Sequence, residues 1–369
     1  AIPELVESKK DKEKGKKTLE NTAKQLKLKE RGKELLQKLA DAHTKNRNAT
    51  SDDRWIQKIS SSGTTSDKIA AAVIMIKEHP LSNLKALQSL IAQSKKKGGK
   101  SNIPVIENLR EVFIDGLLPP DRALKYFRNQ PWESKSVTDK HLLYWVFEEE
   151  VKLCYSSYIS TLEQSSKENI DFLRDVSIKT LAALLTQHPE QERTILSSLV
   201  NKVGDPVRKV ASTTVTCLLG VLEEHPNMKG IIVREVEVFM NRPHISEKAI
   251  YYALILLNQV ILTAKEASIS AKLTEIYFST FKRFMEGKSD LVQTRILTAI
   301  LTGLNRSFPF VSTEKQVEFE KQTSMFYKIV FTSVFNRSTQ ALLLLFQVHT
   351  TAQNVPDRYY RALYDRLLA

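Results

Sequence analysis

The sequence has few of the residues that interrupt helices. Its 369 residues include only 11 glycines and 12 prolines, and a chain with so little turn punctuation is usually helical. Cysteine is scarcer still, with Cys154 and Cys217 alone. Two cysteines exclude a disulfide framework and a four-cysteine zinc site. Because each stands among apolar neighbours at helical spacing, we expect buried thiols.

Long apolar runs are also missing. The longest spans residues 69–76, far short of the ~20 residues that a membrane-spanning helix needs. The N-terminal residues lead directly into lysines without the apolar stretch of a secretory signal. We therefore expect no membrane partner.

Motifs that carry catalysis or hold a cofactor are not recognisable. Three of the seven histidines precede prolines, in His79-Pro80, His188-Pro189 and His225-Pro226, where we expect them to cap helix ends. Glu148-Glu149-Glu150 point in different directions on a helix, which favours a solvated face over an acid–base site. Gly98-Gly99-Lys100-Ser101 lacks the leading glycine of a phosphate loop. We expect a protein that is not an enzyme, with no catalytic, metal or cofactor-binding residues and no small-molecule substrate.

Acidic residues are outnumbered by basic ones in the first quarter of the chain. Residues 1–100 hold 23 Lys and Arg against 12 Asp and Glu, whereas residues 101–369 hold 32 against 30. Such basic clusters neutralise phosphates and give sequence-independent affinity for nucleic acid, although the interspersed glutamates leave a plain solvated helix as the alternative. Aromatic residues are sparse there, which favours recognition of RNA backbone and shape over base stacking. The RNA-binding candidates lie in the arm and in a basic loop at 94–102, and they are Lys9, Lys10, Lys12, Lys14, Lys16, Lys17, Lys24, Lys27, Lys29, Arg31, Lys95, Lys96, Lys97 and Lys100.

Apolar periodicity indicates an all-α protein of stacked helix pairs. Helices are predicted to start near residues 168, 206, 245 and 289, and the spacing of about 40 residues is typical of HEAT-type units in an α-solenoid. We predict a basic helical N-terminal arm over residues 1–50 and a HEAT-like repeat scaffold over 51–369. A short helix is expected at 121–127.

Several segments are similar to a known family. They are residues 117–127 (LLPPDRALKYF), 201–212 (NKVGDPVRKVAS), 225–229 (HPNMK), 251–253 (YYA), 257–259 (LNQ), 302–309 (TGLNRSFP) and 357–364 (DRYYRALY). In this order they resemble the CCAAT-binding-factor family of nucleolar complex proteins, related to CCAAT/enhancer-binding protein zeta. The resemblance implies a nuclear, nucleolar factor of ribosome biogenesis that acts in early large-subunit (60S) maturation and rRNA processing. It also implies binding to precursor rRNA, to a second nucleolar complex protein as heterodimer partner and to other pre-60S assembly factors, and further helices beyond Ala369.

Two smaller sets of residues have expected roles. Asp205 and Arg208 match the HEAT consensus, which favours a structural role in stacking successive repeats. The C-terminal helix holds candidates for a protein interface, because Tyr and Arg are favoured at binding hot spots, but the same tyrosines could instead close the last repeat. These interface candidates are Arg358, Tyr359, Tyr360, Arg361 and Tyr364.

Two other functions remain open at this stage. The family name derives from a proposed role in transcription from CCAAT promoters, so a DNA-binding transcription factor is one alternative, although no recognition helix is identifiable. A scaffold that binds only proteins is the other. The two alternatives differ from the main prediction in whether the basic arm contacts RNA.

Overall fold

The structure, a computed structural model, describes residues 9–46, 56, 58–59, 62–96, 102–134, 136–263, 265–285, 291–311, 323–332, 335–351 and 355–368. All regular elements in these ranges are helices and none is a β-strand, so the predicted all-α class is confirmed. The α-helices of these ranges are α1 Lys9–Asn46, α2 Thr65–Glu78, α3 Leu84–Ser94, α4 Ile103–Val112, α5 Asp139–Ser165, α6 Asp171–Gln187, α7 Glu192–Val203, α8 Arg208–Glu224, α9 Lys229–Met240, α10 Glu247–Gln259, α11 Ala267–Met285, α12 Leu291–Ser307, α13 Thr323–Thr332, α14 Phe335–Thr351 and α15 Asp357–Leu368.

The chain divides into two compact units, Ala1–Glu192 and Arg193–Ala369. In the first unit α2, α3 and α4 pack on one another, and α5 contacts α1, α3 and α6. The core includes Phe113, whose ring lies 5.2 Å from the ring of Tyr155 and 5.4 Å from that of Tyr158. The Tyr158 hydroxyl donates a hydrogen bond to the backbone oxygen of Ile106 at 2.6 Å, which satisfies its polar atom inside this core.

The second unit has the packing order of stacked helix pairs. Helices α8, α10, α12 and α14 form a series in which each member contacts the next, and α9 contacts α11 beside them. Each helix buries one apolar face in this stack, as Val210, Leu218 and Val221 of α8 do. The starts of α8, α10 and α12, at Arg208, Glu247 and Leu291, lie within two residues of the predicted positions. These helix pairs therefore stack as HEAT-type units do.

Helix ends follow the proline positions in the sequence. Helices α2, α6 and α8 end at Glu78, Gln187 and Glu224, each followed by a His-Pro pair. A residue before proline is disfavoured in the helical region, so the chain leaves the helix there. At the other end of α2, Thr64 is the N-cap and exchanges hydrogen bonds with Asp67, which lowers the pKa of that carboxyl.

The predicted short helix at 121–127 is wrong. Residues 121–126 form an irregular loop, and a single 3₁₀ turn follows at Phe127–Asn129. Two carboxylates of other helices or turns accept the loop's backbone N–H groups: Glu190 binds Leu124 N at 2.7 Å and Glu148 binds Lys125 N at 2.9 Å. Those side chains replace the carbonyl acceptors that a helix would have supplied.

Within the described ranges, none of the helices combines the length and apolar character required to cross a lipid bilayer.

Candidate nucleic-acid and protein interfaces

The basic arm is helix α1, and it lies against α5 of the first unit. The two helices approach closely at Gly32, where an added Cβ would lie 2.7 Å from Val146 Cγ2 and 2.8 Å from the backbone oxygen of Leu142. Leu36, one turn further on, is buried in the same cluster as Val146. Gly32 therefore lies at a point where the two helices pack too closely for a side chain.

Two of the candidate cations in α1 form ion pairs within the protein. Lys29 Nζ lies 2.5 Å from a carboxylate oxygen of Glu149, and Arg31 lies 2.8 Å from Asp139. The expectation that residues 148–150 form a solvated face is wrong for Glu149, which is buried. Both ion pairs join α1 to α5 across more than 100 residues of sequence.

Two other candidate cations of α1 are exposed and form no ion pair with any described residue. Lys24 and Lys27 line a cleft of about 540 Å³ together with Trp132 and Glu133. The indole comes from the loop that precedes α5, so folding adds an aromatic side chain to an arm whose own sequence is poor in them. The missed signal was the tryptophan itself, whose position next to the arm depends on the packing of α1 on α5. The cleft combines two cations with an aromatic surface.

The remaining candidate lysines are described in part. Lys9, Lys10, Lys12, Lys14, Lys16 and Lys17 lie in α1, but their side chains fall outside the described atoms. Lys95 and Lys96 are exposed at the end of α3, whereas Lys97 and Lys100 lie outside the described residues. The assignment of these lysines to RNA stays a prediction.

His188 fastens the loop that carries the family-like segment 117–127. Its ring nitrogens lie 3.0 Å from the backbone oxygen of Ile114 and 3.2 Å from that of Pro119. The predicted capping role is therefore wrong for this side chain, because its acceptors belong to a distant segment rather than to α6. Together with Glu148 and Glu190, His188 holds residues 114–125 in place.

Asp205 is engaged at the start of α8. One carboxylate oxygen accepts a hydrogen bond from Val207 N at 3.0 Å, and the other lies 3.2 Å from Lys202 Nζ. Asp205 is buried, and these contacts agree with the expected structural role. The Arg208 side chain is exposed and forms no ion pair or hydrogen bond with a described residue, so its predicted part in stacking stays a prediction.

The candidates on α15 divide between its two faces. Tyr359 is buried, with its ring 5.9 Å from that of Phe346, and Arg358 lies over the ring of Tyr327 at 4.3 Å. Tyr360 and Tyr364 are exposed by 47% and 62%, respectively. Tyr359 therefore packs α15 against the rest of the last repeat, while Tyr360 and Tyr364 remain accessible to a partner.

The family-like segments 257–259 and 302–309 meet in space. Asn258 donates to the backbone oxygen of Ala299 at 2.8 Å and accepts a hydrogen bond from the Tyr277 hydroxyl at 2.7 Å. A Cβ at Gly303 would collide with both Asn258 and Tyr277. These segments thus pack together where α10, α11 and α12 meet. Burial in this contact raises the pKa of Tyr277.

One surface was not anticipated from the sequence. A groove runs along α8 and α10, and its first part, of about 560 Å³, is lined by Arg208, Lys248, Arg295 and Tyr252, among others. We name it the α8–α10 groove. Across the described ranges, no group of three or more His, Cys, Asp or Glu side chains could hold a metal ion.

These features define a helical-repeat protein with basic surfaces. No family model matches the chain. It is 34% identical over 323 residues to human CCAAT/enhancer-binding protein zeta, covering 85% of this chain and 30% of that protein. It is 34% identical over 381 residues to ribosome biogenesis protein NOC1 of Chaetomium thermophilum, covering 89% and 36%. Nucleolar complex protein 1 of Drosophila melanogaster is 32% identical over 344 residues, covering 89% and 29%.

Over the region that it covers, the chain belongs to the CCAAT-binding-factor family of nucleolar complex proteins. The predicted resemblance is confirmed, and the names of the relatives agree with the predicted nucleolar role in ribosome biogenesis. The chain spans less than half the length of the relatives that it matches.

Proposed function

We propose that the protein is a non-catalytic scaffold of ribosome assembly in the nucleolus, acting in early large-subunit maturation. It binds precursor rRNA through lysines of α1 and of the segment 94–102. It binds other assembly proteins, including a second nucleolar complex protein, through exposed ridges of its helices. The names of the relatives support the cellular role, and the surface chemistry supports the division between RNA and protein contacts.

The observation that carries the RNA contact is the pair of unneutralised cations beside Trp132. Lys24 and Lys27 are exposed in the cleft and have no described acidic partner, unlike Lys29 and Arg31. Exposed lysines release counterions when they bind phosphates, and each phosphate contact steepens the salt dependence of binding. The indole can stack on an unpaired base.

The test compares RNA binding of two variants with equal loss of charge. Lys24→Ala with Lys27→Ala is expected to lower the affinity for a labelled precursor rRNA fragment and to reduce the salt slope by roughly 1.5. Lys265→Ala with Lys328→Ala removes two exposed lysines of the second unit and should leave both quantities unchanged. Equal behaviour of the two variants would refute the assignment of RNA to this cleft.

The same fragment separates the alternative functions. Competition against a CCAAT duplex at matched salt should leave the RNA bound, whereas preferential binding of the duplex would favour the transcription factor. A further variant tests the protein-only scaffold by replacing more lysines of α1 with alanine, namely Lys9, Lys10, Lys12, Lys14, Lys16 and Lys17 together with Lys24 and Lys27. If this variant changes neither the affinity for the RNA fragment nor the salt slope, the protein-only scaffold is favoured.

The protein contact is assigned to the accessible face of α15. Tyr360 and Tyr364 present large amphipathic side chains beside Arg361, a composition favoured at interface hot spots. Tyr360→Ser with Tyr364→Ser should reduce co-purification of other assembly proteins from cells without changing RNA affinity. Unchanged co-purification would remove α15 from the proposal.

A further inference from the structure

The α8–α10 groove has two chemically different ends. At one end, around the starts of α8 and α10, lie Arg208, Lys248 and Arg295 with Tyr251 and Tyr252. A second cavity of about 410 Å³ continues the groove at the other end, where the apolar side chains of Leu222, Val260 and Ile261 predominate. The two cavities adjoin, because Leu219 and Gln259 line both.

The cations of the basic end are available to a ligand. Arg208, Lys248 and Arg295 are exposed and form no ion pair with any residue that the structure describes. The one acidic side chain among them, Asp205, is already bound to Lys202 and to Val207 N. The basic end therefore presents three unneutralised positive charges to whatever occupies it.

At the apolar end the charges are arranged differently. Lys229 lies 3.1 Å from Glu266, which neutralises it, and Glu223 is exposed at the rim. Ile261 is 66% exposed, an unusual exposure for a large aliphatic side chain next to a cavity. A ligand with carboxylates at one end and aliphatic side chains at the other would match both ends in one orientation.

We infer that the α8–α10 groove binds a short acidic peptide segment of a partner protein, with its carboxylates on Arg208, Lys248 and Arg295 and its aliphatic side chains toward Ile261. Its lining also includes the apolar side chains of Val215, Leu219 and Ile255, which suit side chains of a peptide better than sugar and phosphate. Between Arg208 and Glu223 the groove is about 22 Å long, at about 1.5 Å per helical residue. An extended peptide of about seven residues spans that length.

The experiment is a selection from a random 12-residue peptide library displayed on phage, with the full chain as target. Enriched peptides are expected to carry a cluster of Asp and Glu next to Leu, Ile or Val. Binding of the enriched peptide, labelled with fluorescein, should weaken at least tenfold with Lys248→Glu and Arg295→Glu combined, and at least fivefold with Ile261→Asp.

Two control variants separate local chemistry from global effects. Lys282→Glu with Lys328→Glu makes the same charge change at two exposed lysines of the second unit that do not line the groove, and Lys248→Arg with Arg295→Lys conserves the charge of the groove. Both should bind the peptide as the unchanged protein does. Circular dichroism of the charge-reversed variant establishes that it is folded.

Three results would overturn the inference. The library could yield no enriched peptide, or only peptides without acidic residues. The enriched peptide could bind the charge-reversed protein as tightly as the unchanged one. Finally, the charge reversal could spare peptide binding and lower the affinity for the precursor rRNA fragment, which would assign the groove to RNA. None of these results bears on Lys24 and Lys27, so the proposed RNA contact of α1 is tested independently by the variants of those two lysines.

Discussion

The ammonium group of Lys152 lies 2.6 Å from the carboxylate of Glu190, and the Glu190 side chain is almost completely shielded from water. The same Glu190 carboxylate accepts a hydrogen bond from Leu124 N, and Lys152 donates to the Leu124 oxygen at 2.8 Å. The pair thus fastens the irregular loop of segment 117–127 to α5 and to the turn after α6. A loop without helical hydrogen bonds is thus held by a buried ion pair, in addition to its contacts with Glu148 and His188.

Removing the acidic partner should strongly destabilise the first unit. Glu190→Ala leaves the Lys152 charge and the Leu124 N–H unpaired in a buried site, and such a break costs about 3–5 kcal/mol. Glu190→Gln keeps an acceptor for Leu124 N and is expected to cost less. Urea unfolding measures both changes. Glu107→Ala, an exposed change on α4, should stay within about 0.5 kcal/mol of the unchanged protein, and an equal loss in this control would contradict the role given to the ion pair.

The packing of α1 on α5 can be tested by whether a glycine-to-alanine substitution stabilises or destabilises the protein. In an exposed helix, Gly to Ala stabilises by about 1 kcal/mol, and Gly220→Ala on α8 should do so because nothing lies within 4 Å of the added Cβ. Gly32→Ala should instead destabilise by about 1–3 kcal/mol, since the new methyl group overlaps Val146 and Leu142. Hydrogen exchange of the α1 amides should accelerate in the Gly32 variant alone. Stabilisation by both substitutions would show that α1 is not docked.

The thiol of Cys154 should be unreactive in the folded protein. Burial raises the pKa of Cys154 to about 11, and the Glu150 carboxylate raises it as well. At pH 8 the reactive thiolate is then only about 0.1% of the population, against several per cent or more in the unfolded chain. Alkylation by iodoacetamide, followed by mass spectrometry, should be at least about 100-fold slower for native protein than for protein in urea.

The Cys154 thiol also makes the stability of the folded protein depend on pH in a defined direction. Because the folded state holds the proton more tightly, Cys154 contributes stability that is present below its ordinary pKa of 9.0 and is lost as the pH rises toward about 11. Cys154→Ala should remove that alkaline loss. Native labelling at pH 8 that matches labelling in urea would disprove the buried state of the thiol.

Much of the helical framework could be predicted from local patterns. The starts predicted near 206, 245 and 289 lie at 208, 247 and 291, and the ends at His-Pro pairs are those of α2, α6 and α8. Apolar spacing and proline stereochemistry act over a few residues, so they can be recognised without knowing the fold. The failed prediction at 121–127 involves side chains that come from Glu148 and Glu190, which no local pattern connects to that segment.

The sites were much less predictable than the helices. Lysine clusters could be identified as basic, but their neutralisation depends on distant partners, as for Lys29 with Glu149 and Arg31 with Asp139. The α8–α10 groove needs Arg208, Lys248 and Arg295 from three different helices. Charge counting over the sequence places most of the positive excess before residue 100 and gives no sign that three cations gather in the second unit.

There is a simple physical reason why the helices could be predicted from the sequence and the sites could not. Helix formation depends on short-range hydrogen bonds and on the spacing of apolar side chains, and both are written in consecutive residues. The family segments are readable in the same way. Which helix faces meet, which charges are paired and which remain exposed depend on close packing between residues tens to hundreds of positions apart. Those contacts neutralise Lys29 and Arg31 and leave Lys24 and Lys27 accessible beside Trp132. They also bring cations of three separate helices together in the α8–α10 groove.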